Sequence, residues 1–209
     1  GSDNVWGVGD NIVQWTGSQW VQRSSPVTNR LVAIAGSGPN DIWALSVAAQ
    51  VIRWNGSGWS VMPGTPAGPL RGLAVVDNEA WITSSAGTVH HWTGAGWTVE
   101  NVGVADELAS IVAADRSNIA VASQGNAVYR WNGSTWTKQT VSGANSIRGL
   151  ALGSSVEVWC AHDQGVSRYD GVTWNLLDVG TRNFLAGIMG VPSDYWVYGQ
   201  GGTILHYRR

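Results

Sequence analysis

Apolar and polar positions along this chain change over in short bursts, and four kinds of apolar run recur in a fixed order. The first kind, A, is Leu31–Ala35, Leu70–Val75, Leu108–Ala113, Ile147–Leu152 and Leu185–Met189. The second, B, is the "VWGV" or "DIWAL" segment. The third, C, ends on an aromatic residue, as in "NIVQW", "QVIRW", "TVHHW", "AVYRW", "GVSRY" and "TILHY". The fourth, D, starts at the tryptophan that follows. No stretch has an apolar period of 3.6, so no amphipathic helix is predicted. The linkers are polar or Gly-rich and too short for a crossover helix, which makes the pairing antiparallel. Four such strands in tandem units predict an all-β chain built as a β-propeller of four-stranded blades.

The aromatic positions set the register. A C-to-D pair stands at 15/20, 54/59, 92/97, 131/136 and 169/174, always five apart, and successive pairs are 38 or 39 residues apart. A second column, in run B, holds Trp6, Trp43, Trp81, Trp159 and Trp196, with Ala120 in the fourth slot. These columns account for all 14 tryptophans of the chain. A period near 38 residues is the mark of a repeat architecture. The chain reads as one propeller domain over 3–209, with repeats 3–40, 41–78, 79–117, 118–155, 156–193 and a partial 194–209; Gly1-Ser2 reads as a tag scar. There are five A runs, six B, six C and five D. Six blades are favoured, since both terminal hairpins look competent to pack, with five as the alternative. The incomplete terminal blades leave open strand edges, which invite a partner and keep homo-oligomerisation open.

Composition narrows the function. Charged residues are 12 % of the chain, about half the usual share. The net charge of −2 and pI near 6.1 lack the basic stripe that nucleic acid demands. No run of 18 apolar residues exists for membrane insertion. Cys160 is the only cysteine, so no intramolecular disulfide forms. No leader is visible, and cytoplasmic and secreted locations are both open.

The tryptophans have a structural reading and a binding one. For the C and D columns the structural reading is preferred: the pair brackets a tight turn whose glycine (Gly17, Gly56, Gly94, Gly133, Gly171) takes φ > 0. In the B column, the residue two before the aromatic slot is Asn4, Asp41, Glu79, Asn118, Glu157 or Asp194. An aromatic face beside an acceptor suits a sugar, apolar on one face and hydroxylated at its rim; the competing reading is an acid that caps the A–B turn. The residue before the C aromatic is Gln14, Arg53, His91, Arg130, Arg168 or His206. This donor column would bind glycan oxygens or hold a carboxylate of the next blade. The candidate carbohydrate-binding residues are therefore Trp6, Trp43, Trp81, Trp159, Trp196, Asp41, Glu79, Asp194, Arg53 and Arg130. No metal site, cofactor or catalytic residue is assigned: His90 and His91 point to opposite faces of a strand, and no carboxylate pair or nucleophile signature stands out. Ser167–Trp174 resembles the aspartate box of sialidases, but its Asp–Trp spacing is four where the box has five. The reading is not an enzyme. The "NGS" triplets at Asn55 and Asn132 belong to the C–D turn and read as incidental glycosylation matches.

With the repeats aligned, "VWGV" followed by "IVQWTGSQWVQ" resembles a tectonin repeat, and "VYRWNGSTWTKQ" is similar to its Tyr-Arg form. "GSGPNDIWAL" and "GGTILHY" look more like the Trp-rich propeller repeats of secreted deltaproteobacterial proteins. Both resemblances imply a propeller. The tectonin resemblance implies a multivalent lectin, one weak site per blade, for cell-surface glycans such as lipopolysaccharide or O-methylated sugars, in innate defence. The alternative is a non-enzymatic scaffold for protein–protein interaction with every column internal.

Overall fold

The computed structural model describes residues 4–154 and 156–208; the tag-scar reading of residues 1–2 lies outside them. The strands fall into six antiparallel sheets, each made of consecutive segments. Blade one has β1 (Val5–Val8), β2 (Ile12–Trp15) and β3 (Trp20–Arg23). Blade two has β4 (Leu31–Gly38), β5 (Asp41–Ser46), β6 (Val51–Trp54) and β7 (Trp59–Val61). Blade three has β8 (Leu70–Val76), β9 (Glu79–Ser84), β10 (Thr88–Trp92) and β11 (Trp97–Asn101). Blade four has β12 (Leu108–Asp115), β13 (Asn118–Ser123), β14 (Ala127–Trp131) and β15 (Trp136–Thr140). Blade five has β16 (Ile147–Leu152), β17 (Val158–His162), β18 (Gly165–Tyr169) and β19 (Trp174–Leu177). Blade six has β20 (Leu185–Val191), β21 (Asp194–Gly199) and β22 (Ile204–Arg208). The only helical turn among the described residues is Gln200–Gly202. The molecule is a six-bladed β-propeller. Blade one begins at a B strand and blade six ends at a C strand, so these two sheets have three strands among the described residues.

Each sequence repeat straddles two sheets: its B, C and D strands form one blade and its A strand starts the next. The five A strands are innermost, and each is bulged near its start, as at Leu31/Ala33 and Ile147/Gly149. A bulge bends a strand and increases its twist, which lets these strands crowd around one axis. Gly149 shows how closely: a Cβ there would lie 2.8 Å from the Ile188 nitrogen of the neighbouring A strand.

The C–D hairpins follow the predicted rule. Trp15, Trp54, Trp92, Trp131 and Tyr169 pair directly with Trp20, Trp59, Trp97, Trp136 and Trp174. The turn glycine between them has φ of 92° to 105°, a region costly for a residue with a Cβ. In three turns an Asx side chain fixes the loop: Asn55, Asn132 and Asp170 each accept two backbone N–H groups through Oδ1.

The core lies in the seams between blades. Among the described residues there are five buried clusters, one per consecutive pair of blades. The B-column tryptophan of one blade packs against the C and D aromatics of the next. Trp6 lies 5.1 Å from Trp54 and 5.5 Å from Trp59; Trp43 lies 6.3 Å from Trp92 and 6.4 Å from Trp97; Trp81 lies 6.3 Å from Trp131; Trp159 lies 4.9 Å from Tyr207. Burying one indole removes roughly 150–250 Å² from water, worth at most about 4–6 kcal/mol. In the fourth blade Ala120 fills the slot, and Cys160, Val158 and Ala122 form the seam instead.

This packing predicts two different outcomes for one substitution type. Trp43→Ala should cost about 3–5 kcal/mol in urea unfolding, because Trp43 is 0 % exposed. Trp196→Ala should cost under about 1 kcal/mol, because Trp196 is 45 % exposed.

Candidate functional site

The B column was the leading candidate, and the structure gives it an internal role in most blades. Trp43, Trp81 and Trp159 are buried in the seams. The Trp43 indole N–H donates to Asp41 Oδ1 at 2.8 Å and Arg53 Nε donates to the same oxygen at 2.8 Å. Trp159 and Arg168 share Glu157 Oε1 in the same way, both at 2.7 Å. In blade one, Trp6 and Gln14 share Asn4 Oδ1. In blade four Arg130 Nη2 donates to Asn118 Oδ1 at 2.7 Å. In blade three His91 lies 2.8 Å from Glu79 Oε2 and stacks on Trp81 with ring centroids 3.6 Å apart. Blade six repeats this with His206, Asp194 and Trp196.

The donor before the C aromatic therefore bonds to the acceptor of strand B in its own blade. The expectation of a contact with a carboxylate of the next blade is corrected: the B–C register sets Trp43 opposite Arg53, which brings Asp41 within diagonal reach. The acid also serves the A–B turn in blade two, where Ser37 Oγ donates to Asp41 Oδ2. Of the ten candidate residues, Trp43, Trp81 and Trp159 are turned into the seams, Asp41 pairs with Trp43 and Arg53, and Glu79 pairs with His91, which leaves the buried Trp81 indole N–H without a hydrogen-bond partner. Arg53 and Arg130 are committed to the same pattern, and Trp6 is half-buried under Trp54 and Trp59. A sugar platform repeated through the B column is not available in blades two, three and five. Only Trp196 and Asp194, in blade six, stay open to solvent.

The open concavities lie elsewhere. The axis holds a channel of about 690 Å³ lined by the ends of the five A strands, including Leu73, Val75, Ile111, Leu152 and Met189. A groove of about 390 Å³ at the seam of blades one and two holds Trp54, Trp59 and Arg23, with Ser24, Ser25 and Ser57 at its edge. A groove of about 360 Å³ at the seam of blades four and five holds Trp131, Tyr169, Arg130, Asn132 and Gln139. Sequence reasoning treated these C-column aromatics as wedges. A pocket of about 250 Å³ sits between blades five and six, against Trp159, Leu205 and Tyr207.

Two buried groups look reactive by type and are structural by environment. Burial pushes the Cys160 thiol up to about 12, so little thiolate forms near neutrality. His162 is wholly buried. Its Nδ1 accepts the Gln164 backbone N–H at 3.2 Å, so Nε2 donates to Ser167 Oγ at 2.9 Å. Burial lowers its pKa against the raising effect of nearby Asp163. Among the described residues no group of three or more His, Cys, Asp and Glu side chains converges as a metal site would require.

No protein-family model matches the chain, and no curated protein matches it in sequence. Solved structures do match in fold. YCF48 bound to a D1 peptide superposes with a TM-score of 0.79 at 19 % identity, over 99 % of this chain and 74 % of that one. Virginiamycin B lyase from Staphylococcus aureus gives 0.81 at 14 % identity, over 99 % and 77 %. The WD40 repeats of RRP9 give 0.81 at 13 % identity, over 99 % and 73 %. These likenesses establish the propeller and, being a mixture of an enzyme and binding proteins, go no further.

Two outcomes follow from the site geometry. Asp41→Ala removes a buried acceptor shared by three donors and should cost about 1.5–3 kcal/mol of stability, while Asp194→Ala, at a partly exposed pair, should cost under about 1 kcal/mol; chemical denaturation of both measures the contrast. Because His162 resists protonation when folded, the unfolded chain binds more protons as the pH drops below the ordinary value of 6.5. Stability should therefore fall from pH 7 toward pH 5, and His162→Gln should flatten that fall in thermal melts across the range.

Proposed function

We propose that this chain is a non-enzymatic propeller that binds protein partners. The observation that carries the reading is where apolar surface is left uncovered. The tryptophan–acceptor–donor sets of blades two, three and five are consumed inside the molecule. The Trp196 face of blade six is not: Trp196, Tyr198 and Ile204 are 45 %, 48 % and 68 % exposed, and Met189 and Val191 on the adjoining strand are exposed beside them. A contiguous apolar face bordered by His206 and Asp194 is the kind of surface that protein interfaces use. The YCF48 structure, a peptide complex on a similar propeller, supports the class of ligand.

A second reading keeps the carbohydrate ligand and moves it. The two seam grooves each pair a half-buried aromatic face with a guanidinium and several hydroxyl or amide groups: Trp54 with Arg23 at 6.0 Å, and Tyr169 with Arg130 at 6.0 Å. That chemistry fits a sugar face and rim.

Labelled protein applied to matched protein and glycan arrays separates the two readings. The protein-binding reading expects selective protein capture, weakened about tenfold or more by Trp196→Ser combined with Ile204→Ser, with the thermal midpoint of the variant retained. A sugar-competed glycan signal that requires Trp54 or Tyr169, without protein capture, would establish the second reading and overturn the first.

A further inference from the structure

The donor group at each described seam meets its acceptor in one of two ways, and the difference bears on what the two seam grooves bind. Between blades two and three, Arg53 meets the Asp41 carboxylate at 2.8 Å. Between blades five and six, Arg168 meets Glu157 at 2.7 Å. Between blades three and four, His91 and Arg116 both meet Glu79, at 2.8 and 3.3 Å. At the other two seams the strand acceptor is an amide. Arg130 donates to Asn118 Oδ1 at 2.7 Å and to the Val156 carbonyl at 3.3 Å. Arg23 donates twice to Gln14 Oε1, at 2.9 and 2.7 Å. An amide oxygen satisfies guanidinium N–H groups without neutralising the charge.

The two amide-held arginines are the ones that stand in the seam grooves. Arg23 lines the groove of about 390 Å³ between blades one and two, with its guanidinium 6.0 Å from the Trp54 ring. Arg130 lines the groove of about 360 Å³ between blades four and five, 6.0 Å from the Tyr169 ring. Among the described residues no carboxylate lines either groove, in a chain with 14 acidic residues and a net charge of −2. Hydroxyl and amide groups complete the walls: Ser25 and Ser57 in the first, Thr137 and Gln139 in the second. Gln139 Oε1 is buried without a hydrogen-bond partner, so the second groove also holds an acceptor still to be satisfied. Both volumes fall within the roughly 300–1,000 Å³ of small-ligand sites. The grooves lie three blades apart, on opposite sides of the six-bladed ring.

We infer that the two seam grooves bind acidic sugars, the class that carries a carboxylate on a pyranose ring. The carboxylate pairs with Arg23 or Arg130, a charge-assisted contact stronger than one between neutral groups. Ring hydroxyls bond to the serine, threonine and glutamine side chains, and the apolar ring face lies on the half-buried Trp54 or Tyr169. Two like sites on one ring suit a ligand that repeats, as an acidic polysaccharide does, because a second contact on the same chain adds avidity. The inference rests on the carbohydrate reading of the seam grooves and adds the charge of the sugar.

The test is calorimetric titration of the whole chain with trisaccharides of galacturonate, glucuronate and mannuronate and with sialyllactose. Each is run beside its methyl ester, which keeps the ring and removes the charge. Saturable binding of at least one acidic sugar is expected, at two sites per chain. Its ester should bind about tenfold or more weakly. Raising the salt from about 0.05 to about 0.5 M should weaken the acid and not the ester. Thr137→Trp and Ser57→Trp, at exposed wall positions, should each reduce two sites to one with the thermal midpoint retained. In the Ser57→Trp background, Arg130→Gln should bring acid and ester to equal affinity. Equal binding of acid and ester by the unaltered chain, lost in Thr137→Trp, would overturn the inference and leave neutral sugars at the grooves. Acidic-sugar binding that survives both tryptophan substitutions together would overturn it by placing the site elsewhere. Binding of no sugar, acid or ester, would overturn it together with the carbohydrate reading. A triglutamate peptide that binds at the grooves where the sugars do not would overturn it and assign the arginines to acidic side chains of a protein partner.

Discussion

The packing of one blade's inner-strand tryptophan against the next blade's hairpin aromatics is the contact on which the rest of the molecule depends. Each blade is a small sheet with two faces and no core of its own. A small sheet in water holds together only when it has an apolar face to bury. The seams supply the burial that each blade lacks, and the indole is large and flat enough to fill the wedge between two sheets that diverge from an axis. The ion pairs of blades two and five are secondary in energy. Arg53 and Arg168 are each 28 % exposed, and pairs of that exposure contribute about 1 kcal/mol or less, against several for a buried indole. Their part is positional: the carboxylate takes the indole N–H and the guanidinium lies near the ring, while in blades three and six the imidazole stacks on the indole.

Among the described residues, Trp20 of blade one and Trp196, Tyr198 and Ile204 of blade six are exposed. Grooves open at two seams, beside Trp54 between blades one and two and beside Tyr169 between blades four and five.

Much of the fold was legible because tryptophan is rare and bulky, so four copies of Trp-x₄-Trp and a fifth with Tyr169 in the first place fix strand, turn and register at once. The C–D turn glycines followed from that spacing, the A strands from the recurring apolar runs, and six blades were favoured over five from the count of B and C runs. The role of the B column did not. From spacing alone, an aromatic beside an acceptor and a cation reads equally well as a sugar cradle or as an internal bracket. What separates them is whether another blade covers the ring. The joint recurrence of Asp41 with Arg53, Glu79 with His91 and Glu157 with Arg168 was a usable signal. An antiparallel hairpin with the B tryptophan opposite the C-strand donor brings these partners within diagonal reach in the same blade. The seam grooves were not legible, because they depend on the angle between sheets and on which neighbour is small.

The central claim is that the B-column tryptophans of blades two, three and five are seam core and not ligand platforms. Fluorine NMR of 5-fluorotryptophan-labelled protein, each resonance assigned by single substitution, with a soluble paramagnetic quencher added, tests it most directly. The account predicts that Trp43, Trp81 and Trp159 stay sharp while Trp20 and Trp196 broaden. Broadening of Trp43, Trp81 and Trp159 in the folded protein would contradict it and return the inner-strand tryptophans to the surface.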